Sequence, residues 1–356
     1  MERRQFLRSS AATATGTALG ALSAASPTLL LGQKGRDTKP VLGQGEHLFE
    51  VEHDWARLPD HFSWQVTHNV AVDSAGFVYV IHEGRLNLPD HPAIFCFDPA
   101  GEYVHSFGSF LQGGGHGLEI RNEDGTDFLY VTGYLSKRTF AKLTTQGEIV
   151  WQQSAPMESG AYAADELERT EKIWARDRFH PTNFAFLDDG GFLLADGYGT
   201  HMIHRYDKEA KYQSSIGGTG KKPGQFNLPH GLCIDRRGSQ ERVIVCDRSH
   251  NQLQYLSLDG KHLKTQKGFF LPANVEIHDG LLLLPELKSQ ISLLDSNDRV
   301  VSVLGSKEDK SDRTQPKTWQ EGSFVHPHDA CWDKDGNILV AEWVVSGRIS
   351  RLRRVS

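Results

Sequence analysis

The sequence predicts an all-β chain closed into a six-bladed propeller, and three observations carry that prediction. A short phrase returns six times, each copy opening a strand-like run. The copies are His68-Asn69-Val70-Ala71-Val72-Asp73, Gly115-His116-Gly117-Leu118-Glu119-Ile120, Pro181-Thr182-Asn183-Phe184-Ala185-Phe186, Pro229-His230-Gly231-Leu232-Cys233-Ile234-Asp235, Pro272-Ala273-Asn274-Val275-Glu276-Ile277 and Pro327-His328-Asp329-Ala330-Cys331-Trp332-Asp333. They are spaced by between 43 residues (His230 to Ala273) and 66 residues (His116 to Thr182), a span that suits a four-stranded blade with loop insertions. Between them lie short alternating runs joined by Asp, Asn and Gly turns, which read as β-meanders. Six meanders of this kind close into a ring. An eight-stranded barrel or sandwich gives no reason for a six-fold phrase.

The chain opens with a segment set aside from the fold. Residues Arg3-Arg4-Gln5-Phe6-Leu7-Arg8 precede a weakly apolar, Ala-rich stretch at 11–31, with small residues at Ala21, Ser23 and Ala25. Paired Arg followed by such a stretch reads as a twin-arginine export signal. It is too short and too polar to span a membrane comfortably. The expectation is therefore a signal at 1–35 and a propeller at 36–356, delivered to the periplasm or the cell exterior without stable membrane insertion. Roughly 320 residues remain, enough for one large all-β domain.

Each unit then supplies its strands in order. Unit 1 runs from His68 to the strand 77–81, and unit 2 from His116 to 128–131. Unit 3 leads from Pro181 through the Asp188-Asp189-Gly190-Gly191 turn to 192–196, then to 202–206 and 212–216. Unit 4 continues from His230 to 243–247, 253–256 and 262–264. Unit 5 continues from Pro272 to 281–284, 291–294 and 300–304. Unit 6 runs from His328 to 337–341 and 349–352 and lacks an outer strand, which 47–51 is placed to supply. The stretch 163–174, rich in Glu, Ala and Leu, falls in the longest gap and reads as a helical insertion beside a loop face.

Net charge is −6, and no long basic run lies outside the signal tip and the terminal 351–354, so nucleic-acid binding is not suggested. Four Cys allow three disulfide connectivities. Cys233 and Cys331 stand inside repeated strands, where a small buried thiol is the simpler reading.

The chemistry lies in the His slot. His116, His230 and His328 belong to units 2, 4 and 6, so alternate blades aim three imidazoles at one axis. Zinc takes imidazole ligands, and a catalytic ion keeps three protein ligands with one open position. The structural reading for any one of them is a His bonded to a neighbouring blade. His68, His180 and His326 are spare donors, with His68 placed to line the channel. Asp196 and Asp247 hold equivalent positions after the second strand and read as turn caps.

The phrases Pro229-His230-Gly231-Leu232-Cys233-Ile234-Asp235, Asp189-Gly190-Gly191-Phe192-Leu193-Leu194-Ala195-Asp196 and Pro223-Gly224-Gln225-Phe226-Asn227-Leu228-Pro229-His230 resemble NHL repeats. Within that group the chain is most similar to the catalytic domain of the peptidyl-α-hydroxyglycine α-amidating lyases. The resemblance runs from about His68 to the end and is densest over 180–203, 223–248 and 324–341. It implies zinc on His116, His230 and His328, a catalytic Tyr198 in Asp196-Gly197-Tyr198, and a substrate-facing Arg248 in Asp247-Arg248. It also implies a structural calcium on Asp329, with backbone carbonyls near Val70 and Leu118. Three positions depart from the pattern. Glu83 takes the slot of a second active-site Arg, with Arg85 the nearby substitute. His326 replaces a Met. Gly199 and Tyr255 stand where disulfide Cys are expected.

The resulting expectation is a zinc-dependent lyase-like enzyme acting on a small-molecule or peptide substrate, in which Tyr198 is the general base or a donor that steadies the developing charge, and Arg248 binds a carboxylate. Two other classes remain open: a non-catalytic NHL propeller that binds a protein or glycan, and a lactonase-type hydrolase. The latter takes Glu, Asn and Asp ligands, which the His phrase does not provide.

Overall fold

The computed structural model describes residues 39–306, 308 and 311–355. The signal expected at 1–35 lies outside the described residues. Five sheets are four-stranded antiparallel meanders, formed in chain order over 67–107, 115–153, 184–217, 229–267 and 276–305. They are called blades 1 to 5. Blade 6 is built from both ends of the chain. Strands Pro327–Trp332, Ile338–Glu342 and Arg348–Arg354 are completed by His47–Glu52, and Val41–Gln44 adds a fifth strand outside it. The six-bladed propeller and its closing N-terminal strand are thus as expected. The closure pairs Val51 with Leu352 and Phe49 with Arg354.

Local chemistry explains the meanders. Their hairpins reuse one Asp device. Asp73 accepts the amides of Ala75 and Phe77, and Asp98 accepts those of Ala100 and Glu102. Asp207, Asp295 and Asp333 do the same. The side chain mimics a turn carbonyl and leaves the next backbone groups paired. The apolar residues of each strand pack against the neighbouring blade. Ile81, Ile94 and Cys96 of blade 1 meet Leu118, Leu129, Val131 and Leu143 of blade 2. Leu42, Phe49 and Val51 from the N-terminal strands fill the seam between blades 5 and 6. All four Cys are free, with Cys96, Cys246 and Cys331 buried.

The stretch 163–174 is not helical; helix among the described residues is limited to four short 3-10 turns. A 12-residue helix is marginal without tertiary support. Here tertiary contacts pull the other way. Glu166 is buried between Arg138 and Arg178 and accepts the Phe179 amide at 3.0 Å, so only a single turn forms around Asp165. The segment is an insertion between blades 2 and 3 that brings Trp174 against Tyr134 and Tyr198.

Candidate metal centre

Four inner strands carry a His in the phrase, and each strand breaks register there. The pairing Thr67↔His82 is followed by Asn69↔Ile81, and Pro327↔Glu342 by Asp329↔Ala341. Gly115↔Gly133 is followed by Leu118↔Val131, and Pro229↔Asp247 by Leu232↔Val245. Each shift is one extra residue, a β-bulge at His68, His328, His116 or His230. A bulge re-aims a side chain that regular pleating would point into the blade seam. The four rings meet on the axis, with centroids 4.9 Å apart for His116 and His230, 4.8 Å for His230 and His328, and 5.1 Å for His116 and His328. His68 lies 4.6 Å from both His116 and His328.

The blade that follows each of the three predicted ligands orients its ring. His116 Nδ1 meets the Thr182 carbonyl at 3.2 Å, His230 Nδ1 the Ala273 carbonyl at 2.7 Å, and His328 Nδ1 the His68 carbonyl at 2.9 Å. A carbonyl only accepts, so the proton sits on Nδ1 and each Nε2 keeps its lone pair. Burial, then neighbouring imidazoles and Arg248, hold His116 and His328 well below the ordinary imidazole range. For His230, burial and then Arg248 do the same. His116 Nε2 and His230 Nε2 face each other at 3.2 Å. Two acceptor lone pairs at that distance repel unless a cation lies between them. A tetrahedral ion with metal–nitrogen bonds of about 2.0–2.1 Å has nitrogen–nitrogen edges of about 3.3 Å. The donor set therefore fits zinc.

The glycine after two of these His follows from the same contacts. A Cβ on Gly117 would stand 2.1 Å from the Thr182 carbonyl oxygen, and one on Gly231 2.4 Å from Asn274 Cα. These are the segments that hold the rings.

A second tier surrounds the mouth. The residue paired with the start of each inner strand is often an acid that caps the segment leading into that strand. Asp196 accepts the His180 amide, Asp247 that of Asn227, Glu286 that of Phe270 and Glu342 that of Val325. The residues just beyond this position face the His ring: Glu83 in blade 1, Tyr134 in blade 2, Tyr198 in blade 3 and Arg248 in blade 4. Tyr198 Oη is 3.3 Å from His116 Nε2 and 3.1 Å from His230 Nε2, and Arg248 Nη1 donates to it at 3.1 Å. Burial raises the Tyr198 pKa, and Arg248 opposes that. Arg248 is itself buried and, among the described residues, meets no carboxylate and leaves Nη2 without a partner. Arg85 is exposed. Arg313 is stacked 3.4 Å over Trp343, and burial lowers its pKa while Glu83 and Tyr134 oppose that.

Asp329 lies one layer away from the imidazole donors. Its Oδ1 accepts Asn274 Nδ2 at 2.7 Å, and its Oδ2 accepts the Val70 amide at 2.9 Å. Asn274 and Asn183 both donate to Glu119 Oε1. Their own amide oxygens are buried without partners. Burial, then mutual repulsion, pushes Glu119 up to about 8 and Glu276 well above the usual carboxylate range; Asp329 rises to about 6, mainly through burial. Carboxylates and amide oxygens without a basic side chain form a hard-cation environment.

No family model matches the chain. It is 24% identical over 218 residues to NHL repeat-containing protein 3 of Mus musculus, a match that spans 60% of this chain and 57% of that protein. The chain is a homologue of an NHL-repeat protein. Virginiamycin B lyase from Staphylococcus aureus superposes with a TM-score of 0.52 at 12% identity, over 86% of this chain and 100% of that one. A gluconolactonase from Xanthomonas campestris gives 0.54 at 11% identity, over 89% and 90%. These likenesses establish the propeller fold.

In this propeller, the residues proposed from sequence as zinc ligands and as the catalytic pair share one site. His180 and His326 stand apart: each bonds a loop carbonyl, of Ile173 and Leu287 respectively. Sequence reasoning did not find Glu119, Glu276, Asn183 and Asn274, although each occupies a fixed slot of the repeated phrase.

Proposed function

We propose that this chain is an exported, zinc-dependent lyase-like propeller. It cleaves the C–N bond of a small hydroxylated amide of the peptidyl-α-hydroxyglycine type, giving an amide and glyoxylate. The observation that carries the reading is the meeting of the His116, His230 and His328 rings on the axis, beside Tyr198 and an Arg248 whose Nη2 has no partner. Those three His would hold the ion. When bound, zinc polarises a substrate hydroxyl and lowers its pKa.

The remaining work falls to the chain's own groups. Arg248 Nη2 is free to take the substrate carboxylate in a charge-assisted bond. Tyr198, acting as the phenolate with Arg248 on its oxygen, takes the carbinolamide hydroxyl proton. The oxygen electrons form the aldehyde C=O as the C–N bond breaks, and Tyr198 returns that proton to the departing nitrogen to give the amide. Tyr134 and Trp174 wall the mouth. Asp329, with Glu119, Glu276 and the amide oxygens of Asn183 and Asn274, would hold a structural calcium below.

The test is zinc content and glyoxylate release from an α-hydroxyglycine derivative. The expected result is about one zinc per chain, lost in His230→Ala, and release that falls about 10²–10⁴-fold in Tyr198→Phe with zinc retained. No glyoxylate at any metal loading removes the lyase reading, and absence of metal leaves a non-catalytic binding module. A second reading is supported by the lower layer. Glu119, Asn183, Asn274 and Asp329 form an oxygen donor set of the kind lactonase-type hydrolases use. Calcium-dependent lactone hydrolysis that survives His230→Ala would favour it.

A further inference from the structure

His68 holds in blade 1 the bulge position that the other three His hold in theirs, yet its ring is turned around. Its Nε2 faces Glu83 Oε2 at 3.4 Å. An ionised carboxylate only accepts, so the proton sits on Nε2 and the lone pair on Nδ1. That Nδ1 faces His328 Nε2 at 3.4 Å. His328 in turn spends its Nδ1 proton on the His68 carbonyl. Two lone pairs are again opposed, and a cation between them converts the repulsion into two bonds. The separation is close to the ideal tetrahedral edge of about 3.3 Å, as is the 3.2 Å of the His116–His230 pair. Donor atoms of His68, His116 and His328 all lie within 4.8 Å of one another.

Glu83 is itself fixed. The Tyr134 hydroxyl donates to the same Oε2 at 2.7 Å. Carboxylate, imidazole and ion in line is the arrangement in which an outer partner sets the tautomer and raises ligand basicity. Glu83 also places a negative charge beside a dication held otherwise by neutral rings.

We infer that His68 is a fourth imidazole ligand of this centre, that Glu83 is its positioning residue, and that the substrate hydroxyl would join as a fifth donor. The inference rests on the metal centre proposed above. It reassigns Glu83: the acid standing in an expected Arg slot serves the ion, and anion recognition at the mouth falls to Arg248. The ion that fits is a first-row divalent cation accepting four imidazoles.

The test is titration of metal-stripped full-length protein with Co²⁺ alone, read by its visible absorption and by the dissociation constant. Wild type is expected to bind one Co²⁺ per chain. His68→Ala and His68→Gln are expected to bind on the order of 10–100-fold more weakly with a shifted spectrum, and Glu83→Gln about 10-fold more weakly. Circular dichroism identifies any variant that fails to fold; the Gln variant, which keeps a polar side chain of similar size, then decides. If His230→Ala abolishes binding while both His68 variants keep the wild-type spectrum and affinity, the fourth ligand is excluded and the three-His centre stands. If wild type takes up no Co²⁺, the centre and this inference both fall.

Discussion

At the residue scale, the site depends on contacts that leave no room. Gly231 lets the Ala273–Asn274 backbone pass close enough for the Ala273 carbonyl to hold His230 Nδ1 at 2.7 Å. A methyl group there would meet backbone atoms, which cannot swing aside as a flexible side chain can. Gly231→Ala is therefore expected to destabilise the fold by about 1–3 kcal/mol, the usual cost of overpacking. It should also weaken metal binding by releasing the His230 ring. Chemical denaturation and a metal titration check the two effects separately. Unchanged metal affinity would mean that the carbonyl contact does not position the ring. Gly117 makes the equivalent approach to Thr182, so the His-Gly pair is a unit: one residue supplies the donor, the next admits its support.

At the element scale, the propeller is locked by the N-terminal strand. Phe49 and Val51 of His47–Glu52 are buried against Ile338, Val340 and Leu352 of blade 6. Phe49→Ala should cost about 3–5 kcal/mol, the range for removing a buried aromatic ring. Thermal unfolding measures it, and a loss below about 1 kcal/mol would show that the ring closes without this strand. Such closure was legible in the sequence because the last meander is visibly one strand short. The meanders were legible because five hairpins repeat an Asp turn. The role of Asp196 and Asp247 as caps followed from their shared slot, and Glu286 and Glu342 extend it to blades 5 and 6. The bulges were not legible. A one-residue slip leaves no mark on an alternating pattern, and only the paired register reveals it. The stretch 163–174 misled because its composition favours a helix, while the ion pairs of Glu166 with Arg138 and Arg178 decide its course.

At the scale of the whole molecule, the chain folds around imidazoles kept neutral. His204 is buried between the Tyr162 and Ser215 hydroxyls, and burial lowers its pKa to about 3. The unfolded chain binds a proton at this His below about pH 6.5, where the folded one does not. Stability must therefore fall as pH drops from about 6.5 toward 3, by about 1.4 kcal/mol per pH unit for such a group. Urea unfolding between pH 6 and 4 should show a slope shallower by about one proton in His204→Gln. An identical slope would place the charged form of His204 in the folded state.

The axial site was legible in its His trio, because the phrase repeats in alternate blades. Its lower carboxylate layer was hidden, since its members come together only when the ring closes. The central claim is that imidazoles from separate blades share one ion. Anomalous diffraction at the zinc edge, on crystals of protein purified without chelator, tests it most directly. One peak on the channel axis, within about 2.0–2.1 Å of the Nε2 atoms of His116, His230 and His328, is the predicted result. A map with no peak there, and the rings bonded only to one another, would contradict it.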